Sequence, residues 1–133
     1  MFAYLDFLFL SYRGRIGRGA MWLGTFVIVL AEFGAIAFLL KLSHGTLGDL
    51  HALQSDPRSM TNAIMLHVVW PVLIVSLLFL YPTYALYTKR WHDRNKSGWW
   101  SLIGFVPLIG GLWLLIELGF LGGDDGANFY GSR

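Results

Sequence analysis

Reactive side chains concentrate in one run, Lys89-Arg90-Trp91-His92-Asp93-Arg94-Asn95-Lys96-Ser97-Gly98-Trp99-Trp100. An aspartate close to a histidine can fix the imidazole tautomer or favour its charged form. Arginines can hold phosphate oxygens in bidentate fashion. One reading is therefore acid-base work by His92 on lipid or isoprenoid phosphates held by the arginines. However, consecutive helical residues do not face each other, so direct pairing within His92-Asp93 is not expected. Asp93 is better matched to an arginine of a second basic group, Arg13, Arg15 and Arg18, which would staple that segment onto the run. The competing reading is positional. Lysine, arginine and tryptophan gather where helices leave a membrane, and Ser97 suits the N-cap of a following helix. The candidate binding residues, for a headgroup or a partner segment, are Arg15, Arg18, Arg90, His92, Asp93, Arg94, Ser97 and Trp99.

A second group lies inside apolar stretches: Glu32, His67, Ser76 and Glu117. An unpaired carboxylate at mid-membrane depth costs at least several kcal/mol, so Glu32 needs a proton, a hydrogen bond or a polar cavity. Ser76 is its expected neighbour by depth. Glu117 and His67 fall about one turn inside the outer ends of their helices, where they pair or reach water. These four residues form only a sparse chain, which makes a transporter or channel subunit the alternative reading. His44, His51, His67 and His92 sit at different depths, so no zinc triad forms. The absence of cysteine removes disulfides and thiol chemistry. Gly14-Arg15-Ile16-Gly17-Arg18-Gly19 follows no strand and lacks dinucleotide-loop spacing. It offers flexible backbone beside guanidinium groups, which suits lipid phosphates. No cofactor or metal is expected.

The elements that hold these groups follow from composition. Only 14% of the 133 residues are charged, against about 25% in soluble domains, and so short a chain cannot hide this much apolar surface in its own core. Three stretches, about 19–40, 63–87 and 99–121, reach the roughly 20 residues that cross the hydrocarbon, and in lipid each must be helical. The fold class is all-α: a single polytopic membrane domain, 1–133, with three transmembrane helices and a short interfacial helix over 2–11 that turns Asp6 to water. A polar outer loop spans 41–62, a cytoplasmic loop 88–98, and an outer tail 122–133. Asp56-Pro57 reads as an N-cap with proline in the first turn. Pro71 and Pro82 should kink the second helix. Pro107, Gly110 and Gly111 make the third irregular, with a re-entrant hairpin as the alternative. Ala20, Gly24, Ala31 and Ala35 share one face and favour close packing, within the chain or between copies. Arg13, Arg15 and Arg18 fall on the side of Lys89, Arg90, Arg94 and Lys96; Lys41, Arg58 and Arg133 fall on the other. The positive-inside rule then puts the N-terminus in the cytoplasm.

With these residues laid out, the chain resembles the bacterial inner-membrane family called domain of unknown function 805, over nearly its whole length. Gly14, Arg15, Arg18 and Trp22 match the N-terminal signature; Arg90, His92, Asp93, Ser97, Gly98, Trp99 and Trp100 match the central one. Pro107 and Gly110 match the third-helix element, and Gly126, Asn128, Tyr130 and Gly131 the tail motif. The central motif is the specific one. Many relatives carry an acidic residue shortly before the first-helix tryptophan, where this chain has Ala20. The resemblance implies the membrane architecture and no particular chemistry. The expected role is a non-catalytic interaction or headgroup-binding module. Its expected partners are membrane lipids, anionic ones first, and a second copy or another membrane protein, with no nucleic acid.

Overall fold

A computed structural model describes residues 2–47 and 57–132. The Asp56 cap, His51 and Arg133 of the sequence reading lie outside them, as does the side chain of His44. The described residues contain helices and no strand, apart from one isolated bridge between Asn128 and Gly131.

Helix α1 covers Phe2–Phe9 and α2 covers Arg18–Leu47. At 1.5 Å per residue, α2 is about 45 Å long, more than the hydrocarbon thickness. Helix α3, Pro57–Ile64, opens with proline, whose missing amide hydrogen costs nothing in a first turn. A wide π turn, Met65–Val69, joins α3 to α4, Trp70–Asp93. Its cause is local: the Pro71 ring crowds the carbonyl four residues back, and the wider turn relieves that contact. Pro82 is carried inside α4. Together these segments form a helical stretch of 36 residues, Arg58–Asp93. In the most apolar window of each long helix, only 11% and 6% of the residues are buried. The exposed side chains include Leu23, Phe26, Phe33, Leu77 and Leu78. Helices this long and this apolar outside belong in lipid, because water would oppose that exposure.

Helix α4 extends six residues past the apolar run expected to end at Tyr87, so Lys89 to Asp93 are helical and not loop. Asn95 ends it with φ 55°, while Lys96 N–H bonds Trp91 O at 2.9 Å and Asn95 N–H bonds His92 O at 3.0 Å. These two bonds make a Schellman cap with asparagine in the left-handed position.

The third apolar stretch differs from the single span expected over 99–121. It forms a 3-10 helix, Gly98–Phe105, then a turn, then α5, Ile109–Leu114, continued by a π turn, Leu115–Phe120. The reversal is a γ-turn at Leu108 (φ 65°, ψ −57°), with Ile109 N–H on Pro107 O at 2.7 Å. The returning arm, Ile109–Phe120, is about 18 Å long at 1.5 Å per residue and too short to cross. Gly110 lets the two arms meet: a Cβ there would overlap the Ile103 carbonyl. The stretch is therefore a hairpin, and the tail after it returns to Asp93, whose carbonyl accepts Asp124 N–H at 2.8 Å. The expected outer tail lies beside the 88–98 segment instead.

The chain divides into two compact units, Met1–Ile28 with Tyr81–Arg133, and Val29–Leu80. In the second, Ser76 Oγ donates to Glu32 Oε1 at 2.9 Å, giving the carboxylate the partner its depth demands. The first holds the polar cluster and the hairpin. There Gly24 of α2 lies against Leu86 of α4, where a Cβ would come within 2.7 Å of Leu86 Cδ1.

Candidate functional site

The centre of the first unit is a triad of buried charges. Asp93 accepts from Arg15 Nε at 3.3 Å and Nη2 at 3.2 Å through Oδ1, and from Arg90 Nη1 through Oδ2. All three side chains are fully buried, with no accessible surface on either partner of either ion pair. The remaining donors point at backbone. Arg15 Nη1 donates to Gly126 O at 2.6 Å and Gly131 O at 2.9 Å, and Nη2 to Asp124 O at 2.6 Å. Arg90 Nε donates to Leu118 O at 2.9 Å and Nη2 to Leu121 O. A buried charge is tolerable when paired and bonded in this way. Arg15 thus ties the N-terminal segment to the tail, and Arg90 ties α4 to the hairpin's return arm. Gly123 makes room for this, since a Cβ would overlap the Asp93 carboxylate.

Lys89, which the sequence reading did not single out, has a separate task. Its buried ammonium donates to Phe7 O at 2.6 Å, Leu8 O at 2.7 Å and Ser11 O at 2.6 Å. The Phe7 and Leu8 carbonyls lie in the last turn of α1 without helical partners, Ser11 follows the helix, and a cation there also meets the negative end of the helix dipole. Nothing in the sequence signals this contact, because its acceptors are all backbone.

The tail motif is bound through His92. Its ring stacks on Tyr130 with centroids 3.8 Å apart and planes 7° from parallel, and its carbonyl accepts from Asn128 Nδ2 at 2.9 Å. Asn128 and Gly131 exchange backbone bonds of 3.1 and 3.0 Å across a tight turn. Gly131, at φ 103°, takes the left-handed conformation that turn requires. His92 Nδ1 lies 3.2 Å from Gly14 O. A carbonyl can only accept, so Nδ1 carries the hydrogen.

Other expected groups are placed differently. Glu117 does not reach an outer end: the hairpin returns it to Arg94 Nη2 at 2.8 Å and Lys96 Nζ at 3.0 Å. Arg18 is exposed and donates to Phe120 O at 3.1 Å, leaving Asp93 to Arg15 and Arg90. Trp22 Nε1 donates to Gly119 O at 3.2 Å. Ser97 caps the 3-10 helix by accepting Trp99 N–H at 3.4 Å. His67 lies in the π turn of the second unit.

Beside the sealed triad a cleft of about 490 Å³ opens among Tyr12, Tyr84, Thr88, His92, Ser97, Gly98, Trp99 and Leu102. Tyr12 donates to Tyr81 O at 3.4 Å and meets the Tyr81 ring edge-on, with centroids 5.2 Å apart. Burial, helped by Tyr81 and Tyr84, raises the Tyr12 phenol above its ordinary value, so it remains a donor. Trp99, 74% exposed, stands at the rim. Sequence reasoning found His92, Ser97 and Trp99 but missed Tyr12, Tyr84 and Thr88, which only the packing of the 10–17 segment on α4 brings together.

Two long apolar helices, a sealed ionic cluster and a short apolar hairpin define an all-α integral membrane protein. The chain belongs to the family described as "Protein of unknown function (DUF805)", whose model matches residues 9–132. Inner membrane protein YhaI of Escherichia coli (strain K12) is 30% identical over 132 residues, covering 97% of this chain and 92% of its own. Inner membrane protein YhaH of the same strain is 26% identical over 123 residues, covering 92% and 86%. Uncharacterized protein YiiR is 27% identical over 146 residues, covering 92% and 84%. No solved structure matches. The chain is thus an inner-membrane protein of a bacterial family of unknown function.

Proposed function

We propose that this chain is a non-catalytic inner-membrane module that binds anionic lipid headgroups at its basic end. The observation that carries this reading is a division among its cations. Arg15 and Arg90 are fully buried on Asp93 and backbone carbonyls, which favours structural roles for them over holding a phosphate for catalysis by His92. Arg13 and Arg18 are exposed, in a segment flanked by Gly14, Gly17 and Gly19. Guanidinium groups on such backbone suit lipid phosphates. The same cations favour a cytoplasmic location for this end under the positive-inside rule. Because the tail returns to Asp93, the C-terminus would then be cytoplasmic too, in a two-pass topology. Glu117, neutralised by Arg94 and Lys96, and Glu32, bonded by Ser76, favour structural roles over ion transport.

Native mass spectrometry of the purified protein tests the lipid reading and reports oligomeric state or a membrane-protein partner in the same spectrum. The wild type is expected to retain anionic phospholipid. Arg13→Ala with Arg18→Ala should cut retention about thirtyfold, since each basic residue near an anionic surface contributes roughly 1 kcal/mol and each 1.4 kcal/mol is about tenfold. Unchanged retention would overturn the reading. Topology is tested separately, because the chain has no native cysteine. Single cysteines at Ser97 and Ser132 should label from the same, cytoplasmic side; labelling of position 132 from the periplasm would refute the two-pass arrangement.

A further inference from the structure

The cleft beside the triad differs in character from the Arg13–Arg18 surface. None of its lining residues carries a formal charge at neutral pH, where an imidazole is mostly neutral. With the Nδ1 hydrogen directed to Gly14 O, neutral His92 offers a lone pair on Nε2. The Tyr84 hydroxyl at the cleft wall is a second acceptor. Thr88 lines the cleft but is only 6% exposed, and its buried Oγ1 is not one of the acceptors. Tyr12, Tyr84 and Trp99 contribute aromatic rings, and the face of such a ring attracts cations. Such a site is poorly matched to a bare phosphate, because none of its lining residues is a lysine or arginine. It suits a group that donates hydrogen bonds and carries positive charge.

We infer that this cleft binds the primary ammonium of an ethanolamine phospholipid headgroup, His92 Nε2 and Tyr84 Oη accepting its N–H groups and the aromatic rings facing its charge. The lipid is favoured as the source because Trp99, on the rim, is a residue that sits at headgroup depth in bilayers. The site is separate from the basic surface at Arg13 and Arg18, and either can fail without the other.

The test is lipid retention by the full-length protein in detergent, using phosphatidylethanolamine, phosphatidylcholine and phosphatidylglycerol of identical chains at equal mole fraction. Phosphatidylcholine keeps the cation but has no N–H, so it isolates the acceptor contribution. Ethanolamine lipid should be retained about tenfold more than choline lipid, as expected for hydrogen bonds to a charged group. Tyr84→Phe and Trp99→Leu should each reduce ethanolamine-lipid retention several-fold while leaving phosphatidylglycerol retention and the thermal midpoint unchanged. His92→Phe, which preserves a ring against Tyr130, should do the same; if it unfolds, the other two variants still decide. Equal retention of ethanolamine and choline lipids, or retention unchanged in Tyr84→Phe and Trp99→Leu, overturns the inference. Excess free ethanolamine should not displace the lipid; full displacement would reassign the site to a soluble amine and refute the lipid assignment.

Discussion

Replacing Asp93 with alanine should cause the largest loss of stability of any single substitution in the chain. The carboxylate stands between two guanidinium groups, and none of the three side chains has accessible surface. Removing it leaves two like charges buried without the carboxylate they share. Breaking one buried pair in this way costs about 3–5 kcal/mol, a large share of the roughly 5–15 kcal/mol that stabilises a typical domain. Asp93→Asn keeps the shape and one acceptor oxygen but not the charge, so its loss should be smaller. Adding Arg15→Met to Asp93→Ala removes one of the stranded cations and should recover part of the deficit, although the tail then loses its bonds at Gly126 and Gly131. The two changes are coupled through shared partners and should not add. Thermal unfolding in detergent and abundance in the membrane fraction provide the readouts. A wild-type midpoint for Asp93→Ala would mean that the triad does not hold the fold.

The parts of this architecture that sequence makes visible are those with local causes. The two long helices follow from apolar runs that lipid alone can accommodate, and the start of α3 follows from Pro57. The contact between Asp93 and the N-terminal arginines was legible because charge and topology placed both groups on one side. Within that group the choice of Arg15 over Arg18 was not, since it depends on the turn at Gly14, whose φ of 91° lies in the left-handed region. The hairpin was harder. Trp99 to Leu121 has the length and hydropathy of a span, and only Pro107, Gly110 and Gly111 hint at a reversal. Reading that stretch as a span places Glu117 at the outer end and separates the tail from His92, whereas the hairpin, the alternative reading, brings both to the 88–98 segment. Lys89 and the carbonyl partners of both arginines were invisible because a backbone oxygen has no residue type. The acceptors that complete the cluster come from Phe7, Leu8, Ser11, Leu118, Leu121, Asp124, Gly126 and Gly131, and most of these would serve as well with another side chain.

The hairpin itself can be tested at one carbon atom. Gly110→Ala should open it, whereas Gly111→Ala should not. At Gly110 an added Cβ would overlap the Ile103 carbonyl and crowd Gly104 Cα at 3.1 Å, both backbone atoms of the opposite arm. Overpacking a side chain costs about 1–3 kcal/mol because neighbours can rotate away; a backbone carbonyl cannot, so the cost should reach the top of that range or exceed it. At Gly111 nothing lies within 4 Å, and alanine there should be neutral or stabilise α5 by up to about 1 kcal/mol through helix propensity. Both residues lie in the same turn of the same helix, so depth and insertion are nearly matched; Gly110 is buried between the arms and Gly111 is exposed, and the comparison therefore reads the contact between the arms. Opening the hairpin also pulls Leu118 and Leu121 from Arg90 and the tail from Arg15, so its effect should extend beyond the arms. A cysteine at Ser132 reads this directly: its labelling should accelerate in Gly110→Ala and stay at the control rate in Gly111→Ala. Equal midpoints and equal labelling for the two variants would show that the close approach at Ile103 is not what closes the hairpin. The return of the tail to His92 would then have to rest on the Arg15 and Arg90 contacts alone.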